Sequence, residues 1–222
     1  AMQKAGIKVI MGTPTYSIPA WMYKKHPEIV MTRLDGRTIT YGMRQNADLM
    51  NPTYRFYCER VIRKLAEHYK DNPAVIGWQI DNEFTLGSSP RCYCDFCRAG
   101  FQAWVRSKYG TLDKINQAWG TNFWSQRYTD WAQIPVPLPS GADPNPGLAL
   151  DYARYQSFAN ASFLGEQLAM LRKVVAPCAY SATNVSISSP ESFLPTLWIS
   201  SSRSVPDSTY GVWPSSAASG RS

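Results

Sequence analysis

The run Ala74-Val75-Ile76-Gly77-Trp78-Gln79-Ile80 stops abruptly at Asp81-Asn82-Glu83, and this junction limits the fold more than any other stretch. A short apolar segment with β-branched residues reads as a buried strand that delivers Asn82 and Glu83 to its C-terminal end. In a barrel of alternating strands and helices, that end faces the open mouth where side chains converge. A carboxyl there, close in sequence to Trp78 and Phe84, is expected to have its pKa raised enough to donate a proton near neutral pH. A lone Glu after a strand is more often a solvated loop carboxylate, so the surrounding pattern has to decide.

Upstream, Ala1 to Gly6 reads as a helix end with a glycine stop, followed by a strand over Ile7 to Gly12. An opening of that kind is expected of an internal piece of a longer protein. Asn51-Pro52 predicts a helix start, because Asn caps the free amides and Pro needs no N–H bond at the first position. Phe56, Val61, Leu65 and Ala66, with Tyr57 and Ile62 beside them, predict its apolar face, and Asp71-Asn72-Pro73 ends it. The order strand, loop, helix, strand is the unit of a parallel α/β fold.

Further helices are predicted from about Asp95 to Tyr109, from Thr111 to Trp119, and from Leu148 to Val175, the last leading into a strand over Ala179 to Asn184. The Pro-rich stretch Ile134 to Pro146 reads as a surface excursion. From Ser186 the character changes: roughly a third of the remaining residues are Ser, and apolar periodicity is lost. We therefore expect two segments, a folded domain over 1–185 and a Ser-rich aberrant or disordered tail over 186–222. The sudden change, placed where the next strand and helix should develop, favours a shifted reading frame over a flexible tail.

The chain of 222 residues can bury a substantial core, and no apolar run approaches the length of a membrane span. Its net charge of +7 suggests an anionic partner such as nucleic acid. The distribution argues against one. Arg55, Arg60, Arg63, Lys64 and Lys70 are interleaved with Glu59, Glu67 and Asp71, as on a solvated helix face.

Cys92, Cys94 and Cys97 stand in a C-x-C-x-x-C spacing that lets three thiolates meet one ion, as structural zinc sites require. Cys58, Cys178 and Asp48 are the candidates for a fourth ligand. The competing reading is three reduced, partly buried cysteines without metal. An odd number of cysteines at this tight spacing makes a poor disulfide framework.

Several ordered motifs together resemble glycoside hydrolase family 42, the β-galactosidases built on a (β/α)8 barrel. They are Ala5-Gly6-Ile7-Lys8-Val9-Ile10 with Thr13-Pro14-Thr15, Pro19-Ala20-Trp21 with His26-Pro27-Glu28-Ile29, and Asp35-Gly36-Arg37. Trp78 to Glu83, Cys92 to Cys97, Tyr109-Gly110-Thr111-Leu112, Asn116 to Gly120, Phe123-Trp124-Ser125-Gln126 and Asn145-Pro146-Gly147-Leu148 follow. The resemblance covers about Ala1 to Val175.

It implies an α/β fold, a partial (β/α)8 TIM barrel holding about strands 3 to 5 of eight with their helices. It implies a retaining β-galactosidase acting on terminal β-D-galactosides, with Glu83 as proton donor and acid/base and Asn82 bonding the sugar 2-hydroxyl. Arg44 falls where the family has an arginine-rich loop contacting galactose, with Gln45 replacing a second arginine. Trp124 matches a tryptophan lining the sugar site, whereas Trp21 is expected to pack under its loop. The cysteine cluster matches the family's zinc loop, except that Asp48 stands where a fourth cysteine would. Zinc is then held by three sulfurs and one oxygen, or the site is lost.

The family's nucleophile lies on the seventh strand, beyond this chain. Glu191 is rejected as a substitute for want of strand context, so this segment alone is expected to be inactive. No organic cofactor, nucleic acid or membrane partner is implied. The parent protein is expected in the bacterial cytoplasm, with homo-oligomeric assembly compatible with the family. Three alternatives stay open: another retaining barrel glycosidase acting on glucosides or mannosides, a non-catalytic carbohydrate-binding remnant, and a small metal-dependent nucleic-acid module.

Overall fold

Three strands form where the apolar runs predict them: β1 (Val9–Gly12), β2 (Val75–Ile80) and β3 (Ala179–Ala182). They pair in parallel in the order β1-β2-β3, with Met11 opposite Trp78 and Trp78 opposite Tyr180. The computed structural model describes residues 1–42, 44–82, 91–138, 143–175 and 179–182. Glu83, Phe84, Cys178, Glu191 and the Ser-rich stretch from Ser186 lie outside the described residues.

The helices are α1 (Ala20–Lys25), α2 (Pro52–Tyr69), α3 (Asp95–Tyr109), α4 (Leu112–Trp119) and α5 (Pro146–Val174). Their ends follow local chemistry. The Asn51 side chain accepts the N–H groups of Thr53 and Tyr54 at 2.9 and 3.2 Å, starting α2. Asn145 does the same for Gly147 and Leu148 at the start of α5. Thr111 accepts from Lys114 N–H before α4, and Gly120, left-handed at φ 61°, closes it.

The helix α2 connects β1 to β2 and α5 leads into β3, so both connections are strand–helix–strand crossovers of a parallel sheet. Both helices cover one face of the sheet. Ile62 and Ala66 from α2, Trp78 and Ile80 from β2, and Leu168 and Leu171 from α5 form one buried cluster. Complete burial of an aliphatic or aromatic side chain contributes about 1.5–3 kcal/mol each. Ile10, next to inward-packed Met11, points to the other face and is 61% exposed.

The apolar face of α2 differs from the expected one. Tyr54, Cys58, Ile62 and Ala66 are buried, while Phe56 and Val61 are exposed. The helix carries two apolar stripes, and packing on α5 through Phe163 and Leu171 selects the one headed by Tyr54. The Pro-rich stretch is also not wholly superficial. Ile134 and Val136 are buried beside Phe101 and Tyr152, in a second cluster built by α3, α4 and the first half of α5. Trp21, expected to pack beneath its loop, is half exposed and lies edge-on to Tyr57 at 5.3 Å.

Candidate active-site rim and thiolate cluster

The C-terminal ends of β1 and β2 continue into Thr13 and Asp81, and these residues build the rim. Thr13 N–H donates to the Gln79 carbonyl at 2.9 Å, extending the ladder one residue past β1. Asp81 then turns the chain off the sheet in a left-handed conformation, φ 55°. Its N–H donates to Thr13 Oγ1 at 2.7 Å. Its carboxylate accepts the Thr15 hydroxyl at 2.7 Å and the Asn82 N–H at 2.6 Å. Gln167, from α5, brings Oε1 to 3.0 Å from Thr13 Oγ1 and 3.1 Å from Thr15 Oγ1. Thr13, Thr15, Asp81 and Gln167 are all buried. Burial pushes the Asp81 carboxyl upward, and hydrogen bonds from Thr15, the Asn82 N–H and Gln167 pull part of that shift back.

Asn82 is held from the other side as well. Its carbonyl accepts Gln45 Nε2 at 3.0 Å, and its side-chain Oδ1 lies 3.4 Å from Gln79 Nε2. Its Nδ2 makes no hydrogen bond to any described residue, so the amide keeps a donor for a ligand. Gln45 is left-handed at φ 57°, and its N–H donates to the Tyr16 carbonyl. The structure thus brings the exposed Arg44, through its neighbour Gln45, to the edge that carries Asn82. Trp124 is not drawn into this group. It sits after α4 in a short 3-10 turn at φ 55°, 79% exposed, with its ring edge-on to Phe123 at 5.3 Å. No hydrogen bond or ring contact joins it to Asn82 among the described residues.

Sequence reasoning named Asn82, Arg44 and the neighbouring Gln45 but missed Asp81, Thr13, Thr15 and Gln167 as rim residues. Thr13 and Thr15 were legible only as part of a motif. Gln167 carries no local signal, because its partners lie more than 150 residues away.

Asp48, Cys92, Cys94 and Cys97 offer one ligand atom each, all within 4.8 Å of one another. Cys94 is the N-cap of α3, with Sγ accepting the Cys97 N–H at 3.4 Å, so helix geometry places two of the three sulfurs together. The Asp48 carboxylate reaches both, 3.0 Å from Cys94 Sγ and 3.2 Å from Cys97 Sγ. The Cys92 carbonyl accepts Tyr152 Oη at 2.5 Å, tying the loop to α5. Cys58 is excluded as fourth ligand because it faces the core between α2 and α5.

The electrostatics of this group are those of a site short of positive charge. Burial, then the Cys94 sulfur, push the Asp48 carboxyl up to about 7. Hydrogen bonds from Cys94 and Cys97 draw the Cys92 thiol down to about 5, while Cys97 is driven far above the ordinary thiol range. Three sulfurs and one carboxylate are a suitable donor set for a tetrahedral cation. Around zinc such donors sit about 3.3–3.8 Å apart, so the widest pair must close by about 1 Å.

Comparison with known proteins converges on one family. The β-galactosidase model of glycoside hydrolase family 42 matches residues 1–194. A β-galactosidase of Thermus thermophilus is 40% identical over 167 residues, 75% of this chain and 26% of that protein. One from Planococcus sp. (strain L4) is 42% identical over 158 residues, 68% of this chain and 23% of that protein. The crystal structure of the β-galactosidase from the psychrophilic Marinomonas ef1 superposes with a TM-score of 0.78 at 33% identity, covering 82% of this chain and 28% of that one. The chain spans about a quarter of the length of the curated relatives it matches. The three parallel strands and their helices are a sector of a (β/α)8 barrel, with Asp81 and Asn82 on its C-terminal rim. Near-complete coverage by the family model, with relatives at about 40% identity, establishes that the chain belongs to the β-galactosidases of glycoside hydrolase family 42.

Proposed function

We propose that this chain is the acid/base sector of a retaining β-galactosidase that removes terminal β-D-galactosyl units. The observation that carries the reading is Asn82, its N–H and its carbonyl both bonded at the rim, with a side-chain Nδ2 that bonds no described residue and Glu83 next in sequence. In this reading Glu83 protonates the leaving oxygen and later activates water. Asn82 bonds the 2-hydroxyl, a contact that tightens as positive charge develops at the neighbouring carbon. Arg44 contacts the galactose hydroxyls, and the Trp124 face packs on the sugar.

Retention requires a second carboxyl about 5 Å from the first. Asp81 is unsuited to that role, because its carboxylate is buried and bonded to Thr15 and the Asn82 N–H. The nucleophile therefore comes from another barrel strand. Residues 1–185 are read as the barrel sector and the Ser-rich 186–222 as a separate segment, although the family model runs on to residue 194.

Cys92, Cys94, Cys97 and Asp48 hold zinc in a structural role. Four protein ligands leave no open position for substrate, and the ion would supply a clamp between the Asp48 loop, the cysteine loop and α3. The free thiols at Cys58, Cys92, Cys94 and Cys97 suit a reducing compartment such as a bacterial cytoplasm. Among the described residues no helix is long and apolar enough to cross a membrane.

The test is Glu83→Gln and Glu83→Ala in the complete barrel carrying this chain. Turnover of an unactivated β-galactoside should fall about 10²- to 10⁴-fold. A dinitrophenyl galactoside, whose leaving group needs no proton, should lose far less. Azide added to Glu83→Ala should yield a galactosyl azide of β configuration. Undiminished hydrolysis of the unactivated substrate by either variant overturns the reading.

A further inference from the structure

We propose that Asp81, acting with Thr13, Thr15 and Gln167, is a positioning residue that fixes the Asn82 amide over the sugar 2-hydroxyl. The inference rests on the rim reading above and assigns roles that the pairing of Asn82 with Glu83 leaves open.

Asp81 is the hinge between the sheet and the pair. Its left-handed φ of 55° is unfavourable for a residue with a Cβ, though Asp tolerates it better than most. The surrounding bonds hold it there from three directions: Asp81 N–H to Thr13 Oγ1, Thr15 hydroxyl to Oδ2, and Asn82 N–H to Oδ1. The protons run in sequence. Thr13 receives the Asp81 N–H and gives its own proton to Gln167 Oε1 at 3.0 Å, while Thr15 gives its proton to Asp81. Tyr54 Oη donates to the Thr15 carbonyl, pinning that loop from beneath. With Thr13, Thr15, Asp81 and Gln167 5% exposed or less, water cannot replace a lost partner.

A network that only tied strands to helix could end at Ile80. This one continues past the strand and terminates on the backbone N–H of Asn82, whose carbonyl is taken by Gln45. The peptide groups on either side of the Asn82 Cα are thereby each held by a hydrogen bond, at the residue assigned to read the sugar. A side chain carried on so constrained a unit meets a hydroxyl without paying orientation entropy at each turnover.

The experiment compares Thr15→Val, Thr15→Ser and Asp81→Ala with the parent sequence in the complete barrel. Each is assayed on an aryl β-galactoside and its 2-deoxy analogue, with thermal unfolding measured alongside. Thr15→Val should lower kcat on the galactoside about 10- to 100-fold with little change in KM. It should also shrink the preference for the 2-hydroxyl about tenfold. Thr15→Ser, which restores the hydroxyl, should recover both, and Asp81→Ala should move both further. If Thr15→Val is not recovered folded, Thr13→Val, which strands the Asp81 N–H, is read in the same way. Folded variants with a lowered unfolding midpoint but unaltered kcat and 2-hydroxyl preference overturn the inference, leaving a merely structural network. That result with Glu83→Gln inactive removes this inference alone, whereas an active Glu83→Gln removes the reading beneath it.

Discussion

At the rim, Thr13, Thr15, Asp81 and Asn82 pass protons to one another and to Gln167, so that both hydroxyls and the buried carboxylate have partners within the protein. At the thiolate cluster, protons run short. Three sulfurs and the Asp48 carboxylate crowd together with more acceptor capacity than protons, and three of the four groups, Asp48, Cys94 and Cys97, are pushed upward toward their protonated forms. Both sites are buried and polar, but the first pairs its hydroxyls and its carboxylate within the protein and the second calls for a cation. A self-satisfied network suits positioning, and an unsatisfied one suits binding.

Metal removal is the strongest way to break this contrast. Chelation, or Cys94→Ser, should strip one zinc per chain from the complete protein and lower its unfolding midpoint by about 10 °C. A protein that contains no metal as purified, and whose unfolding ignores chelator, would put the cluster on the same footing as the rim. Titrating metal back sharpens the contrast. Near pH 7 Cys92 is already a thiolate, Asp48 is about half protonated, and Cys94 and Cys97 carry their protons. Zinc binding should therefore release about two to three protons, and affinity should rise about a hundred- to a thousandfold per pH unit around neutrality. Calorimetry in buffers of different ionisation enthalpy measures that number; a release near zero would mean that the thiols do not ligate. The smallest effect is a control at neither site. Asn145→Ala removes the cap of α5 and should cost about 1 kcal/mol in unfolding free energy, with metal content and 2-hydroxyl preference unchanged.

The parts of this molecule legible in its sequence are those set by near neighbours. Asn51, Asn145, Thr111 and Gly120 mark helix ends because capping acts over two to four residues. The three cysteines announce themselves because their spacing matches one helix turn and its approach. Asp48 was one of three fourth-ligand candidates and could not be singled out locally, because it lies more than 40 residues from its sulfur partners. On α2, Phe56 and Val61 were expected in the core, but two stripes compete and only the distant α5 decides between them. Ile134 and Val136 were hidden by the prolines around them, which forbid regular structure without forbidding burial. Gln167 could not have been chosen from its surroundings in the sequence at all.

The helix α5 touches both sites. Tyr152 and Gln156 reach the Cys92 carbonyl near its start, and Gln167 meets the threonine pair about 22 Å further along the axis. A helix resists stretching far more than it resists swinging, so the two ends move as one rod. The zinc clamp, though remote from the sugar, would thus level the shelf on which catalysis stands, and a tilt introduced at the cysteines would arrive at the threonines as misalignment.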